Sequence, residues 1–232
     1  MIHPIEPERA RSSLQAVLFD MDGLLIDSEP QWLAAETATV EELGGVWGTQ
    51  QNLDLHGTNL PVAADYMIRH TASDLNRNDV MSILCRNMTA ELSRGVDFRR
   101  GAVDLLLALS ESQVVIGLVT SSVREHVDVV LRHLPSRVFD VTVTADDVSM
   151  LKPHPMPYLT ALEVLQVEAS RTVVLEDSSP GVAAGEAAGC HVVAVPSVGQ
   201  IGPATRRTIV SSLSEVDLPR LESLIGASPI QW

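Results

Sequence analysis

Short apolar runs recur along the chain, separated by stretches whose apolar positions fall at helical spacing. LQAVLF (14–19), VVIGLVTSS (114–122), FDVTVTADD (139–147), TVVLEDS (172–178) and HVVAVPS (191–197) are rich in β-branched residues. They alternate little between apolar and polar, which is how strands read when both faces of their sheet are covered. GAVDLLLALS, REHVDVVLRHL, MPYLTALEVLQV and PGVAAGEAAG stand between or beside them and read as helices. IVSSLSEVDLPRLESLIG (209–226) adds an edge segment and a closing helix. Repeated strand–helix units predict an α/β fold, a doubly wound parallel sheet of Rossmann-like type.

One interval breaks this rhythm. Residues 31–98 follow the first strand where a connection of about 2–6 residues is usual. They contain QWLAAETATVEELG, LPVAADYMIRH and NDVMSILCRNMTAELSRG, all helix-like and with almost nothing strand-like. The expected organisation is a tail at 1–13, a core formed by 14–30 and 99–232, and an inserted helical cap at 31–98.

Composition changes this picture little. Hydrophobic residues make up 45% of the 232, as in an ordinary globular chain. No apolar run approaches the roughly 20 residues of a membrane helix, and the polar start lacks the apolar core of a signal peptide. A cytoplasmic protein is expected. Cys85 and Cys190 are far apart, sit in apolar settings, and show no zinc-ligand spacing. They are read as reduced thiols.

The net charge of −14 does more. It repels nucleic acid and anionic membranes, so neither is expected as a partner. An anionic small ligand would need a local source of positive charge. No dimer seam stands out, and a monomer is expected.

In a doubly wound sheet, ligands bind outside the carboxyl ends of the strands. Asp20 and Asp22 follow the first strand, Thr120 and Ser121 the second, Lys152 the third, and Glu176 and Asp177 the fourth. Asp20, Glu176 and Asp177 could not share a small cavity as bare anions without strong repulsion. A hard divalent cation resolves this, and oxygen ligands with room for water favour Mg²⁺. A phosphate could then bind the metal, Lys152, Thr120 and backbone N–H groups between Met21 and Gly23. Lys152 is the only lysine, against fifteen arginines. A compact ammonium suits a tight gap between carboxylates and phosphate where a planar guanidinium does not.

DMDGLLIDSE, the strand-end Thr120, LKPHP and LEDSSPG together resemble the four motifs of the haloacid dehalogenase superfamily. The likeness is nearest to its bacterial sugar-phosphate phosphatases and its β-phosphoglucomutase-like group. It covers nearly the whole chain from about Leu14. The helical insert resembles that superfamily's first type of cap.

The resemblance implies roles residue by residue. Asp20 would be the nucleophile, forming an aspartyl-phosphate. Asp22 would protonate the leaving alcohol and then activate water. Mg²⁺ would be held by Asp20, the backbone carbonyl of Asp22 and Asp177, with Glu176 supporting it directly or through water. Lys152 would help stabilise transition-state charge, and Thr120 and Ser121 would hold the transferring group. A small phosphorylated metabolite, a sugar phosphate, is the expected substrate. In the mutase-like group a histidine usually stands twelve residues after the nucleophile. This chain has Trp32 there, and residues 31–98 carry four arginines against nine acids. Both departures favour hydrolysis over the alternative, a phosphomutase. A non-catalytic phosphate-binding protein is the other alternative, and every catalytic position is filled.

Asp27 and Glu29 are read as capping or hydrogen-bonding groups at the start of the first inserted helix, with a hinge or substrate contact as the other option. His154 is read as a surface-loop residue. His56, Thr58 and Asn59 are candidate substrate contacts.

Overall fold

The computed structural model describes residues 13–55, 58–197 and 199–226. Six parallel strands form one sheet: β1 (Ala16–Phe19), β2 (Val115–Val119), β3 (Val141–Val143), β4 (Thr172–Glu176), β5 (His191–Ala194) and β6 (Arg207–Ile209). Their order is β3-β2-β1-β4-β5-β6. The chain steps outward from β1 to β3, returns to the other side of β1, and steps outward again from β4 to β6. The reversal lies between β1 and β4, which makes their carboxyl ends the natural crevice.

All four residues of β1 are fully buried because both sheet faces are covered. Val17 and Phe19 join the cluster packed under α5 (Ala102–Ser110) and α9 (Leu218–Gly226), while Leu18 joins the one under α7 (Met156–Leu165) and α8 (Ser179–Ala187). Register sets the site. Phe19 lies level with Leu118 of β2 and Leu175 of β4, so Asp20, Thr120 and Glu176 emerge at nearly one height. The Asp20 N–H donates to the Leu175 carbonyl at 3.0 Å and continues the ladder.

Four helices separate β1 from α5: α1 (Glu29–Glu42), α2 (Thr49–Leu55), α3 (Leu60–Thr71) and α4 (Arg77–Arg94). α4 packs on α1 and α3 and also on α6 (Arg124–Leu131) of the sheet layer. Three of the four match helical stretches legible in the sequence. α2 is an addition: TQQNLDL buries only Asn52 and Leu55 and so carries no helical stripe of apolar residues. The chain enters and leaves this helical segment side by side. Ile26 pairs antiparallel with Phe98, the Asp27 N–H donates to the Asp97 carbonyl at 2.8 Å, and the Arg99 N–H donates to the Leu25 carbonyl at 3.0 Å. No helix among the described residues is long and apolar enough to cross a membrane.

Candidate active site

Asp20, Glu176 and Asp177 come together as expected. All three are buried, and one oxygen from each lies within 4.8 Å of the others. Lys152 reaches in from the loop after β3. Its Nζ donates to Asp20 Oδ1 at 2.6 Å, Glu176 Oε1 at 2.6 Å and the Val119 carbonyl at 2.8 Å, with only 5% of the side chain exposed. Burial alone would push this ammonium's pKa down; the charges of Asp20 and Glu176 outweigh burial and push it up. Burial, then repulsion from Glu176 and Asp177, hold the Asp20 carboxyl well above the usual carboxylate range, against the pull of Lys152. Burial and the Glu176 charge likewise push Asp177 up to about 7.

Three carboxylates around one ammonium leave negative charge in a water-poor crevice, and the donor set is all oxygen. These residues fit a hard divalent cation. Their oxygens differ in availability. Glu176, fully buried, accepts from Lys152 and the Tyr158 hydroxyl on Oε1, and from Asp177 N, Ser178 N and Ser178 Oγ on Oε2. Asp177 Oδ2 accepts from Ser197 Oγ at 2.5 Å. Ser178 lies within LEDSSPG, but Tyr158 and Ser197 belong to none of the four motifs above. Tyr158 lies inside an amphipathic helix, where it reads as core.

Two glycines make this closeness sterically feasible. Gly23 has φ +79°, and a Cβ there would overlap the Asp177 carboxylate; a Cβ on Gly181 would overlap the carboxylate of Glu176. The Asp20–Gly23 turn closes with Leu25 N–H and Ile26 N–H both donating to the Met21 carbonyl, and the Met21 side chain is buried.

Asp22 is placed differently. Its Oδ2 accepts from Ser122 Oγ at 2.7 Å and its Oδ1 from the Trp32 indole N–H at 3.3 Å. Its side chain lies outside the three-carboxylate cluster, so its expected place among the metal ligands rests on its backbone carbonyl. Behind Trp32, His126 of α6 packs edge-on at 5.9 Å with Nε2 against the Cys85 carbonyl at 3.2 Å. Burial lowers the His126 pKa. Thr120 is buried and its Oγ1 accepts from Ser122 N at 3.0 Å.

A cavity of about 300 Å³ lies between these strand ends and α1–α3. Asp20, Asp22, Thr120, Ser121, Lys152 and Asp177 line its floor. Thr58 and Asn59 line its far side; Asn59 Oδ1 also accepts from Val62 N as the N-cap of α3. His56 lies outside the described residues. Glu29 stands in the first turn of α1 and lines the cavity, whereas Asp27 pairs with Arg99 at 3.6 Å beside the paired linkers. Ser28 occupies the N-cap between them. His154 is half-buried, not on the open surface, and its Nδ1 accepts from Met156 N at 3.1 Å. Both cysteines are free: Cys190 is buried and Cys85 half-buried, and burial raises their thiols to about 12 and about 11.

The model of the haloacid dehalogenase-like hydrolases matches residues 17–195, most of the chain. The chain belongs to this family. Validoxylamine A 7'-phosphate phosphatase of Streptomyces hygroscopicus subsp. limoneus is 30% identical over 89% of this chain and 98% of its own length. Hexitol phosphatase B of Escherichia coli K12 is 30% identical over 78% of this chain and 83% of its own. The crystal structure of CbbY from Rhodobacter sphaeroides in complex with phosphate superposes with a TM-score of 0.82 at 27% identity, covering 90% of this chain and 99% of that one. The family membership that the four motifs suggest is borne out, as is the α/β architecture of this haloacid dehalogenase-like hydrolase.

Proposed function

We propose that the protein is a Mg²⁺-dependent phosphatase that hydrolyses a small phosphorylated metabolite, a sugar phosphate, through an aspartyl-phosphate. The observation that carries this reading is the separation of two aspartates only two residues apart. Asp20 faces Lys152 and the buried carboxylates, while Asp22 is held away from them by Ser122 and Trp32. One is set to attack phosphorus in line, and the other to give a proton to the leaving oxygen and later take one from water. Lys152 balances charge on the transferring group, and Thr120 and Ser121 receive its oxygens.

Asp20, Asp177 and the Asp22 carbonyl would hold magnesium, whose positive charge would offset that of the carboxylates and the phosphate. Glu176 already accepts five hydrogen bonds, so we read it as the anchor of Lys152 and as support behind the metal. Helices α1–α4 act as a cap that excludes water and selects substrate. The validoxylamine A 7'-phosphate and hexitol phosphatases support a phosphorylated carbohydrate-like substrate. Trp32 occupies the position where a mutase would carry histidine, and an indole N–H can donate but not accept.

Inorganic phosphate should be released from small sugar phosphates with Mg²⁺ present and not in a chelator. Asp20→Asn should lose at least about a thousandfold in kcat, since amide oxygen is a poor nucleophile. Undiminished turnover by that variant would defeat the mechanism. Conversion of a hexose 1-phosphate to its 6-phosphate would instead establish the mutase reading.

A further inference from the structure

Asp22, the proposed acid and base, is held from two parts of the fold. Ser122, in the loop after β2, donates from Oγ to Oδ2 at 2.7 Å. Trp32, in the first turn of α1, donates from its indole N–H to Oδ1 at 3.3 Å. Ser122 belongs to the sheet layer, whereas Trp32 belongs to the helical segment that leaves and returns through the linkers at Ile26 and Phe98. The serine bond is short for a hydroxyl donor. The indole bond is longer than the roughly 2.9–3.0 Å usual for N–H···O. Bonds to catalytic groups are often long in a free enzyme and tighten in its complex. The adjustable hold on Asp22 is therefore the one from α1.

Trp32 is itself seated on the sheet layer. His126 of α6 is fully buried, packs edge-on against the indole at 5.9 Å, and has Nε2 at 3.2 Å from the Cys85 carbonyl of α4. A carbonyl only accepts, so Nε2 carries the ring proton. That leaves Nδ1 a bare acceptor, buried and without a hydrogen-bond partner among the described residues. An aliphatic side chain would fill this space without stranding a nitrogen. Histidine adds a ring that meets two helices of the segment at once, α1 through Trp32 and α4 through Cys85. The seat of the segment on α6 thus fixes the indole, and the indole fixes one oxygen of Asp22.

We propose that Trp32 is a positioning residue for Asp22: its indole N–H, aligned by His126, makes both proton transfers depend on how the helical segment sits on the sheet layer. This rests on the phosphatase reading and names what governs its acid–base step. With the segment seated, each Asp22 oxygen accepts one bond and keeps a lone pair for the proton in transit. With the segment displaced, Ser122 alone holds the carboxyl, which can turn about that one bond. Proton transfer is then confined to the closed arrangement that excludes bulk water.

Two esters separate this role from packing. A hexitol 6-phosphate leaves as a poor alkoxide unless Asp22 protonates it, whereas p-nitrophenolate leaves unaided. Both form the same aspartyl-phosphate, whose hydrolysis needs Asp22 as base. Trp32→Phe keeps an aromatic wall and the contact with His126 but removes the N–H. It should lower kcat for the hexitol phosphate about tenfold, the loss expected for one hydrogen bond to a charged group, with KM within about twofold. Release of p-nitrophenolate in a single turnover should stay within about twofold of wild type. Acid quench during turnover of that ester should trap more aspartyl-phosphate than in the wild type. In Asp22→Ala no carboxyl remains to be positioned, so adding Trp32→Phe should slow aspartyl-phosphate hydrolysis no further. His126→Phe carries the test if the Trp32 variant does not fold, and should move the same readings in the same direction. Unchanged kinetics, an equal loss in the first turnover of both esters, a change in KM alone, or a further loss in the double variant would overturn the assignment and leave the phosphatase reading intact. No phosphate release from either ester by the wild type would remove both.

Discussion

Lys152 shows how much one side chain can settle. Its three N–H donors meet three acceptors: Asp20, Glu176 and the Val119 carbonyl. A guanidinium has the charge but not this compact geometry. Lys152→Arg should therefore lose at least about a hundredfold in kcat, measured by phosphate release at saturating Mg²⁺. Lys152→Met should lower the stability of the metal-free protein by about 3–5 kcal/mol in urea unfolding, because it leaves buried carboxylates without their cation. The residues that carry this site were legible because strand ends mark them: Asp20, Asp22, Thr120, Lys152, Glu176 and Asp177 each follow an apolar run. Their supports were not. Ser122, Tyr158 and Ser197 act through distant partners that only the fold brings near.

At the scale of elements, the junction of β4 and α8 does two jobs. Ser178 caps α8 by accepting from Gly181 N at 3.2 Å, and the same serine donates to Glu176 at 3.1 Å. Gly181 leaves room for that carboxylate. Gly181→Ala should displace Glu176 and with it Lys152. A loss of about 1–3 kcal/mol is the usual cost of such overpacking, read in thermal melts, together with a higher Mg²⁺ requirement in the activity assay. Retention of both wild-type values would show that Glu176 has slack that the structure does not suggest. The strands and long helices were legible from their period, whereas α2 was not: it buries one amide and one leucine and borrows its stability from tertiary contacts. Asp27 and Glu29, read as capping or hydrogen-bonding groups with a hinge or substrate contact as the other option, part ways in the structure, with Glu29 in the first turn of α1. The N-cap fell to Ser28, and Asp27 turned to Arg99, a partner distant in sequence.

For the whole molecule, burying acids near one lysine ties stability to pH. Asp177 is raised from 3.8 to about 7, and Asp20 is raised as well. A carboxyl group whose pKa is higher folded than unfolded contributes fully below the unfolded value and loses that contribution as pH rises through the folded value. In chelator, the melting temperature should therefore fall between about pH 4 and pH 7 on account of Asp177. Mg²⁺ should stabilise most at the upper end of that window, where it no longer competes with protons. Melts at fixed ionic strength, with and without Mg²⁺, would show the two curves diverging as pH rises. Parallel curves would mean that the metal is not held by these acids.

The paired linkers at Ile26 and Phe98 have a consequence for how such a chain can change over time. Because the helical segment leaves and returns through one hydrogen-bonded doorway, the sheet experiences it as a single closed loop. Doubling the length of a flexible loop adds only about 0.6 kcal/mol of closure entropy. Helices beyond the doorway can thus be lengthened, replaced or re-lined at little expense to the register of β1 with β2 and β4, so long as α4 keeps its seat on α6. The end of the pocket proposed to take the phosphate is held by the sheet; the end proposed to meet the rest of the substrate is free to be rewritten.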